Sequence, residues 1–85
     1  MKCKGLWYGG SSYANPDPER DLEVFASLAE AGRVTRARSD NYDGRTPCVD
    51  DDLCAMHVYF GEYTEDGPDR VISIGPRGGL TIVRA

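Results

Sequence analysis

The C-terminal stretch Asp69–Arg84 reads DRVISIGPRGGLTIVR, and it decides the fold. Apolar and polar residues alternate on both sides of the segment GPRGG at positions 75–79. Pro76 presets φ for the first central position of a type I turn, and Gly78 can take the left-handed conformation that follows it. The pattern predicts a β-hairpin that closes on a short loop.

The turn also determines which residues of the two hairpin strands lie opposite each other. It pairs Ile74 with Leu80 and Ile72 with Ile82, so these side chains share one face of the hairpin. The opposite face carries the remaining strand residues, Val71, Ser73, Thr81 and Val83. We expect a helix to cover the first face and no helix to cover the second.

Composition and charge indicate one small globular domain. The 85 residues are 40% hydrophobic and 28% charged, which is typical of a folded chain of one domain. The net charge of −4 disfavours electrostatic binding to nucleic acid or to an anionic membrane. No apolar run approaches the roughly 18 residues of a membrane span, and no apolar segment that would indicate a signal peptide follows the basic N-terminus.

The cysteines predict free thiols. The chain has three, and an odd number argues against a secreted disulfide scaffold and for a reducing cytoplasm. Cys48, Cys54 and His57, with Cys3 as a fourth ligand, have the donor types of a zinc site. They lack paired-cysteine spacing, however, and residues 54 and 57 fall on opposite faces of a predicted strand. We therefore predict no metal and no cofactor.

The N-terminal residues 3–8, CKGLWY, predict an opening strand. Leu6 and Tyr8 would share one face of this strand, and Trp7 would lie on the other. The strand would stop at Gly9-Gly10, and residues 11–18, which include Ser, Asn and two Pro, predict a connecting loop.

The next part of the chain has two interpretations. In one, Asp17 caps a helix that begins at Pro18 and includes the apolar residues up to Ala29. In the other, residues 22–26 form a short strand and the helix starts only at residue 27.

A capping box favours the second interpretation. Ser27 and Glu30 have the spacing at which a hydroxyl and a carboxylate each accept a backbone N–H at a helix start. The helix would then run from Leu28 to about Ser39, with Gly32 admitted at a cost of about 1 kcal/mol relative to Ala because a strand approaches it. The core-facing positions at helical spacing are Leu28, Ala31, Val34 and Thr35.

Residues 53–63, LCAMHVYFGEY, predict a strand after the polar connection at 40–52. One face of this strand carries Cys54, Met56, Val58 and Phe60, and the other carries His57 and Tyr59. The complete order is β-β-α-β-β-β, or β-α-β-β-β under the first interpretation of the helix. Either order predicts the α+β class, an antiparallel sheet of four or five strands with one helix packed on one face.

The remaining candidate chemical sites have incomplete patterns. The acidic run at 50–52 lacks the spaced oxygen ligands and central Gly of a calcium loop. The segment GGSS at 9–12 lacks the Gly-Lys-Ser/Thr of a phosphate-binding loop. The single histidine, His57, has no nucleophile that the sequence places beside it. We therefore predict that the protein is not an enzyme.

Aromatic residues give the most informative functional signal. Since one helix covers one sheet face, we expect some rings to be exposed on the other, where aromatic patches mark partner or self-association sites. The candidate binding residues are Trp7, Tyr8, Tyr13, Tyr59 and Arg77. The arginines at 33, 36, 38 and 45 are the only basic concentration, and 14 acidic residues dilute it, so we do not expect nucleic acid as the partner.

Three parts of the chain carry a resemblance. They are LWYGGSSY at 6–13, DGRTPCV at 43–49, and PDRVI at 68–72 together with GPRGG at 75–79. These stretches resemble small uncharacterised proteins of actinobacterial phages of the mycobacteriophage type. That family has no assigned activity, so no functional residue carries over. The resemblance implies a phage protein that acts in the bacterial host cytoplasm by binding a host or phage protein.

The sequence as a whole predicts a non-enzymatic protein-binding module without a membrane segment. Two other functions stay open. One is a binder of a small ligand or nucleic acid through residues 9–13 or the helix arginines. The other is a homo-oligomeric structural protein that pairs exposed sheet edges or faces.

Overall fold

A computed structural model describes residues 2–8, 16–41, 55–74 and 79–84 and contains the elements in the predicted order. They are β1 (Cys3–Tyr8), β2 (Glu23–Phe25), α1 (Leu28–Asn41), β3 (Ala55–Tyr59), β4 (Arg70–Ile74) and β5 (Leu80–Arg84). The strands form one antiparallel sheet in the order β2-β1-β3-β4-β5, so β2 and β5 are its edges. The predicted α+β class is confirmed.

Several sequence predictions fall outside the described residues. These concern the segment at 9–12, Tyr13, the polar connection from residue 42 to 52, Cys48, Cys54, and the hairpin turn at 75–78 with Arg77.

The predicted hairpin register is confirmed. Ile74 lies opposite Leu80, and Ile72 lies opposite Ile82. Opposite residues of an antiparallel pair point to the same side of the sheet, and this side is the one that α1 covers. A Cβ placed on Gly32 of α1 would lie 3.3 Å from Cδ1 of Leu80. The missing side chain at Gly32 therefore leaves room for Leu80 of β5, in agreement with the strand approach expected at this position.

The start of α1 confirms the interpretation with a strand before the helix. The hydroxyl of Ser27 accepts a hydrogen bond from the N–H of Glu30 at 3.1 Å, and the Glu30 carboxylate accepts one from the N–H of Ala26 at 2.5 Å. Asp17 nevertheless organises a single turn, in which its backbone oxygen accepts the N–H of Asp21 at 2.7 Å. Asp17 therefore starts a single turn, and the chain continues into the strand β2 instead of a helix.

The main core lies between α1 and the sheet side that it covers, which we call the helix face. The buried residues of this core are Cys3, Phe25, Ala31, Met56, Val58 and Ile72, with Trp7, Leu28, Val34 and Phe60 packed against them. Thr35 is fully buried, and its hydroxyl donates to the backbone oxygen of Ala31 at 2.8 Å, so its polar group is satisfied. The helix positions predicted to face the core do so.

Two core side chains lie close to the backbone of Gly5. A Cβ at this position would lie 2.7 Å from the ring of Phe25 and 2.8 Å from the sulfur of Met56. Both distances are shorter than van der Waals contact, so the ring and the thioether occupy the volume that any other side chain at residue 5 would need.

The strand predicted over 53–63 is shorter than expected, because β3 ends at Tyr59. The N–H of Phe60 donates to the carboxylate of Asp69 at 2.8 Å, and the N–H of Asp69 donates to the backbone oxygen of Val58 at 2.8 Å. Asp69 therefore ends β3 and aligns the start of β4. The apolar alternation continues past Tyr59 for a different reason, which is that Phe60 packs on the core as the chain turns.

We expect Gly5→Ala to lower the free energy of unfolding by about 1 to 3 kcal/mol, because the new methyl group overlaps Phe25 and Met56. Denaturant unfolding followed by circular dichroism measures this change. Gly61→Ala is the matched control, since a Cβ at Gly61 has nothing within 4 Å. Equal stability of the two variants would contradict the close approach at Gly5.

Candidate functional site: the second sheet face

Rings gather on the sheet face opposite α1, which we call the second face. The ring centroids of Tyr8 and His57 lie 4.2 Å apart, and those of Tyr59 and Tyr63 lie 5.1 Å apart. Tyr8, His57 and Tyr59 lie on adjacent strands β1 and β3, while Tyr63 comes from the chain that follows β3. We call these four residues the aromatic cluster.

The cluster has a buried layer and an accessible layer. On the second face Leu6, Ala55 and Tyr59 are buried, and Tyr59 retains only 3% of its exposure. Tyr8, His57 and Tyr63 are half-buried, so parts of their rings reach solvent. The expectation of exposed rings on this face therefore needs one correction. Tyr59 packs beneath its neighbours and supports the surface instead of forming it.

Burial changes the acidity of the phenols. Burial raises the pKa of Tyr59 to about 12, and the nearby Tyr8, Tyr63 and Asp69 contribute smaller effects in the same direction. Burial, and to a smaller extent the nearby Tyr63, raises the pKa of Tyr8 as well. Both phenols stay protonated at neutral pH, so they can donate hydrogen bonds but cannot act as phenolate nucleophiles or bases there.

Trp7 and Tyr8 do not form one surface, because adjacent strand residues point to opposite faces. The ring of Trp7 lies on the helix face, where the Arg38 guanidinium sits 5.8 Å from its centroid. Arg38 also binds Glu23 of β2 through two hydrogen bonds of 2.7 and 2.5 Å. Trp7 thus joins a half-buried contact that ties α1 to β1 and β2.

The helix arginines have different surroundings from one another. Arg38 is held by Glu23 and Trp7, whereas Arg33 and Arg36 are exposed on α1. The rings of the aromatic cluster lie on the other side of the sheet. Stacking of nucleic-acid bases needs aromatic and basic side chains on one surface. Among the described residues the helix arginines meet a ring only where Arg38 contacts Trp7, and the aromatic cluster lies on the opposite side of the sheet.

The proposed metal ligands are also separated where the structure describes them. Cys3 is buried on the helix face, and burial raises the pKa of its thiol. His57 lies on the second face. In the described ranges no three His, Cys, Asp or Glu side chains come together as a metal site would require.

A small cleft lies at the end of the sheet where β1 begins. Its volume is about 320 Å³, and its lining includes Lys2, Lys4, Val24, Phe60 and Glu62. The ammonium of Lys4 is 3.5 Å from the carboxylate of Glu62. This cleft combines two cationic side chains and one carboxylate with apolar walls. No sequence pattern predicts it, because residues 2, 24 and 60 are distant along the chain.

The edge strand β5 is the second surface that the sequence did not identify. All five of its residues are exposed. Among the described residues four large hydrophobic side chains are exposed, and three of them, Leu80, Ile82 and Val83, belong to β5. Alternation identifies β5 as a strand but does not reveal that it lies at an edge, because strand order depends on distant pairing.

Comparison with protein-family models, with curated proteins and with solved structures found no match to this chain. The functional argument therefore depends on the geometry of the described residues. Among these, no helix combines the length and the apolar character needed to cross a bilayer.

The raised pKa of Tyr59 predicts a loss of stability at alkaline pH. The folded state holds the phenol proton more tightly than the unfolded state, in which the pKa is near 10. Stability is therefore unaffected below about pH 10 and falls as the pH rises through about 12, by about 2 kcal/mol at pH 12.

Denaturant unfolding over a pH series measures this loss, and Tyr59→Phe is the control because it keeps the ring and removes the ionisable group. We expect a shallower alkaline decrease for the variant. An identical decrease in both proteins would show that Tyr59 is not responsible.

Proposed function

We propose that the protein is a non-enzymatic protein-binding module whose docking surface is the accessible part of the aromatic cluster. The single observation that carries this proposal is the clustering of half-buried Tyr8, His57 and Tyr63 above a buried layer on the face opposite α1. Such a surface offers apolar ring area and hydrogen-bond donors together, which is the combination that protein interfaces favour.

Rigidity supports the same proposal. The rings of Tyr8 and His57 stand on paired strands, and the fully buried Leu6 lies opposite His57 and two residues before Tyr8 on the same face. Side chains that are already ordered lose little conformational entropy on binding, and tyrosine is among the residues that contribute most binding energy at interfaces. The neutral phenol of Tyr8 can donate to a carbonyl or carboxylate of the partner.

The cellular setting belongs to the proposal as well. The resemblance to small phage proteins supports a role in the cytoplasm of an actinobacterial host, with a host or phage protein as the partner. A catalytic role finds less support, because the phenols of Tyr8 and Tyr59 have raised pKa values and remain protonated at neutral pH.

We expect Tyr8→Ala and Tyr63→Ala each to weaken partner binding at least about tenfold, the effect of removing a central interface ring. The measurement is affinity capture from actinobacterial lysate, followed by titration of the recovered partner against each variant. Arg33→Ala is the control, because Arg33 is exposed on α1, on the opposite side of the sheet.

Thermal unfolding first verifies that each variant is folded. Capture of a partner that binds Tyr8→Ala, Tyr63→Ala and wild type equally would overturn the proposed surface. Loss of binding in Arg33→Ala alone would move the interface to the helix.

A second candidate function, binding of a small anionic ligand, rests on the cleft beside Lys2 and Lys4. The Lys4 ammonium is paired with Glu62, which also lines the cleft, so Lys2 next to Val24 and Phe60 would supply the main attraction for an anion that carries an apolar or aromatic body. We expect nucleotides at low salt to raise the melting temperature if this function holds, because a ligand of the native state stabilises it. Lys2→Gln should abolish the shift, and an unchanged melting temperature with nucleotides and oligonucleotides would exclude this candidate.

A further inference from the structure

We propose that β5 pairs in antiparallel orientation with β5 of a second copy of the chain, which joins two five-stranded sheets into one. This surface is separate from the aromatic cluster, so the inference goes beyond the proposed function and does not depend on it. It follows from the exposure of β5, from the contrast between the two sheet edges, and from the self-complementary sequence of the strand.

β5 is exposed because α1 does not reach across it. The helix packs on β1 to β4 and mainly on β4 and β3, and Gly32 admits only the end of the Leu80 side chain. Leu80, Ile82 and Val83 keep 37%, 44% and 48% of their exposure. The outer strand therefore presents both apolar side chains and the unpaired N–H and C=O groups of an edge.

The two edges of the sheet differ in their protection. β2 has only three residues, and the charged side chain of Glu23 at its start is held by Arg38. β5 has five residues, LTIVR, without Pro, Gly or Lys, and its one charge is at the last position. Proteins normally protect a sheet edge with short strands, proline or charge. The short length that discourages pairing is found at β2, whereas β5 is longer and has only the terminal Arg84 as a charged residue.

The sequence of β5 fits a second copy of itself. An antiparallel pair with its two-fold axis at Ile82 places Ile82 opposite Ile82 of the other copy on the helix face. Thr81 then lies opposite Val83 of the other copy on the second face, and β-branched residues pair well across strands. Leu80 lies opposite Arg84 of the other copy, where the aliphatic part of the arginine can cover it.

Repulsion between the two Arg84 side chains favours antiparallel pairing of β5 over parallel pairing. Parallel pairing would place the two Arg84 side chains directly opposite each other, which is unfavourable. Arg84 already lies opposite Arg70 within its own sheet. In the antiparallel pair the two Arg84 residues are about 14 Å apart along the strands, which exceeds the screening length of roughly 8 to 10 Å at physiological salt.

The expected affinity follows from the size of the strand. A stable interface takes about 800 Å² from each partner, which is a large share of the 5767 Å² surface of this chain. A five-residue edge buries less than that, so we expect a weak, reversible dimer that forms only at high protein concentration.

Sedimentation velocity of the purified chain over a range from about 1 μM to 1 mM tests the proposal. We expect a monomer at the low end and a dimer at the high end. Ile82→Lys and Ile82→Glu should each abolish the dimer, because each places two like charges at the two-fold axis. An equal mixture of these variants should restore a dimer, since Lys then faces Glu.

Val24→Lys is the matched control at the other edge, where Val24 is 67% exposed, and it should dimerise like the wild type. Loss of association in this control would instead indicate pairing between β2 and β5. A wild type that stays monomeric at the highest concentration, or an Ile82→Lys variant that still dimerises, would overturn the proposal. A monomer whose β5 binds an acidic extended peptide would also overturn it, in favour of a different partner.

Hydrogen exchange of the wild type covers the case in which the Ile82 variants do not fold. The amides of residues 80–84 should become more protected as the protein concentration rises, and concentration-independent exchange would count against the dimer. Tyr8→Ala should leave the dimer unchanged. Failure of partner capture and failure of dimerisation are thus separate results.

Discussion

One geometric constraint determines most features of this molecule, namely that a single helix cannot cover a five-stranded sheet. The 14 residues of α1 span about 21 Å, and the helix is about 10 Å wide. The axes of the outer strands are separated by about 19 Å in a five-stranded sheet. α1 therefore packs on β1 to β4, where the buried core lies, and leaves β5 exposed. The second face must bury its apolar residues without this helix.

The parts of the fold that depend on local chemistry could be predicted from the sequence. The register of Ile74 and Leu80 follows from strand alternation and turn residues, and the start of α1 follows from Ser27 and Glu30. The end of β3 could not be predicted in this way, because the group that accepts the N–H of Phe60 is the carboxylate of Asp69, just before the next strand. A strand ends where its hydrogen-bond partner changes, and that partner is often distant in sequence.

The candidate site was predictable in its residue type and not in its arrangement. Alternation correctly separates Trp7 from Tyr8, but it does not reveal which ring lies beside which. The contact between Tyr8 and His57 requires β1 to lie next to β3, although a loop, a strand and a helix separate them in sequence. The burial of Tyr59 depends in addition on Tyr63, which comes from the chain after the strand. Residue composition therefore indicates an aromatic surface, while strand order decides which rings are accessible.

The two sheet edges differ in their contacts with α1. Arg38 reaches from α1 to Glu23 on β2 and also contacts Trp7, so the C-terminal half of the helix is tied to β2. The same residues cannot reach β5, which lies at the far side of the sheet. Gly32 lets α1 approach Leu80, which secures the strand to the core without covering its outer edge. The proposed pairing uses β5 alone, and one self-complementary edge gives a closed two-fold pair, since a filament needs two complementary surfaces on each copy.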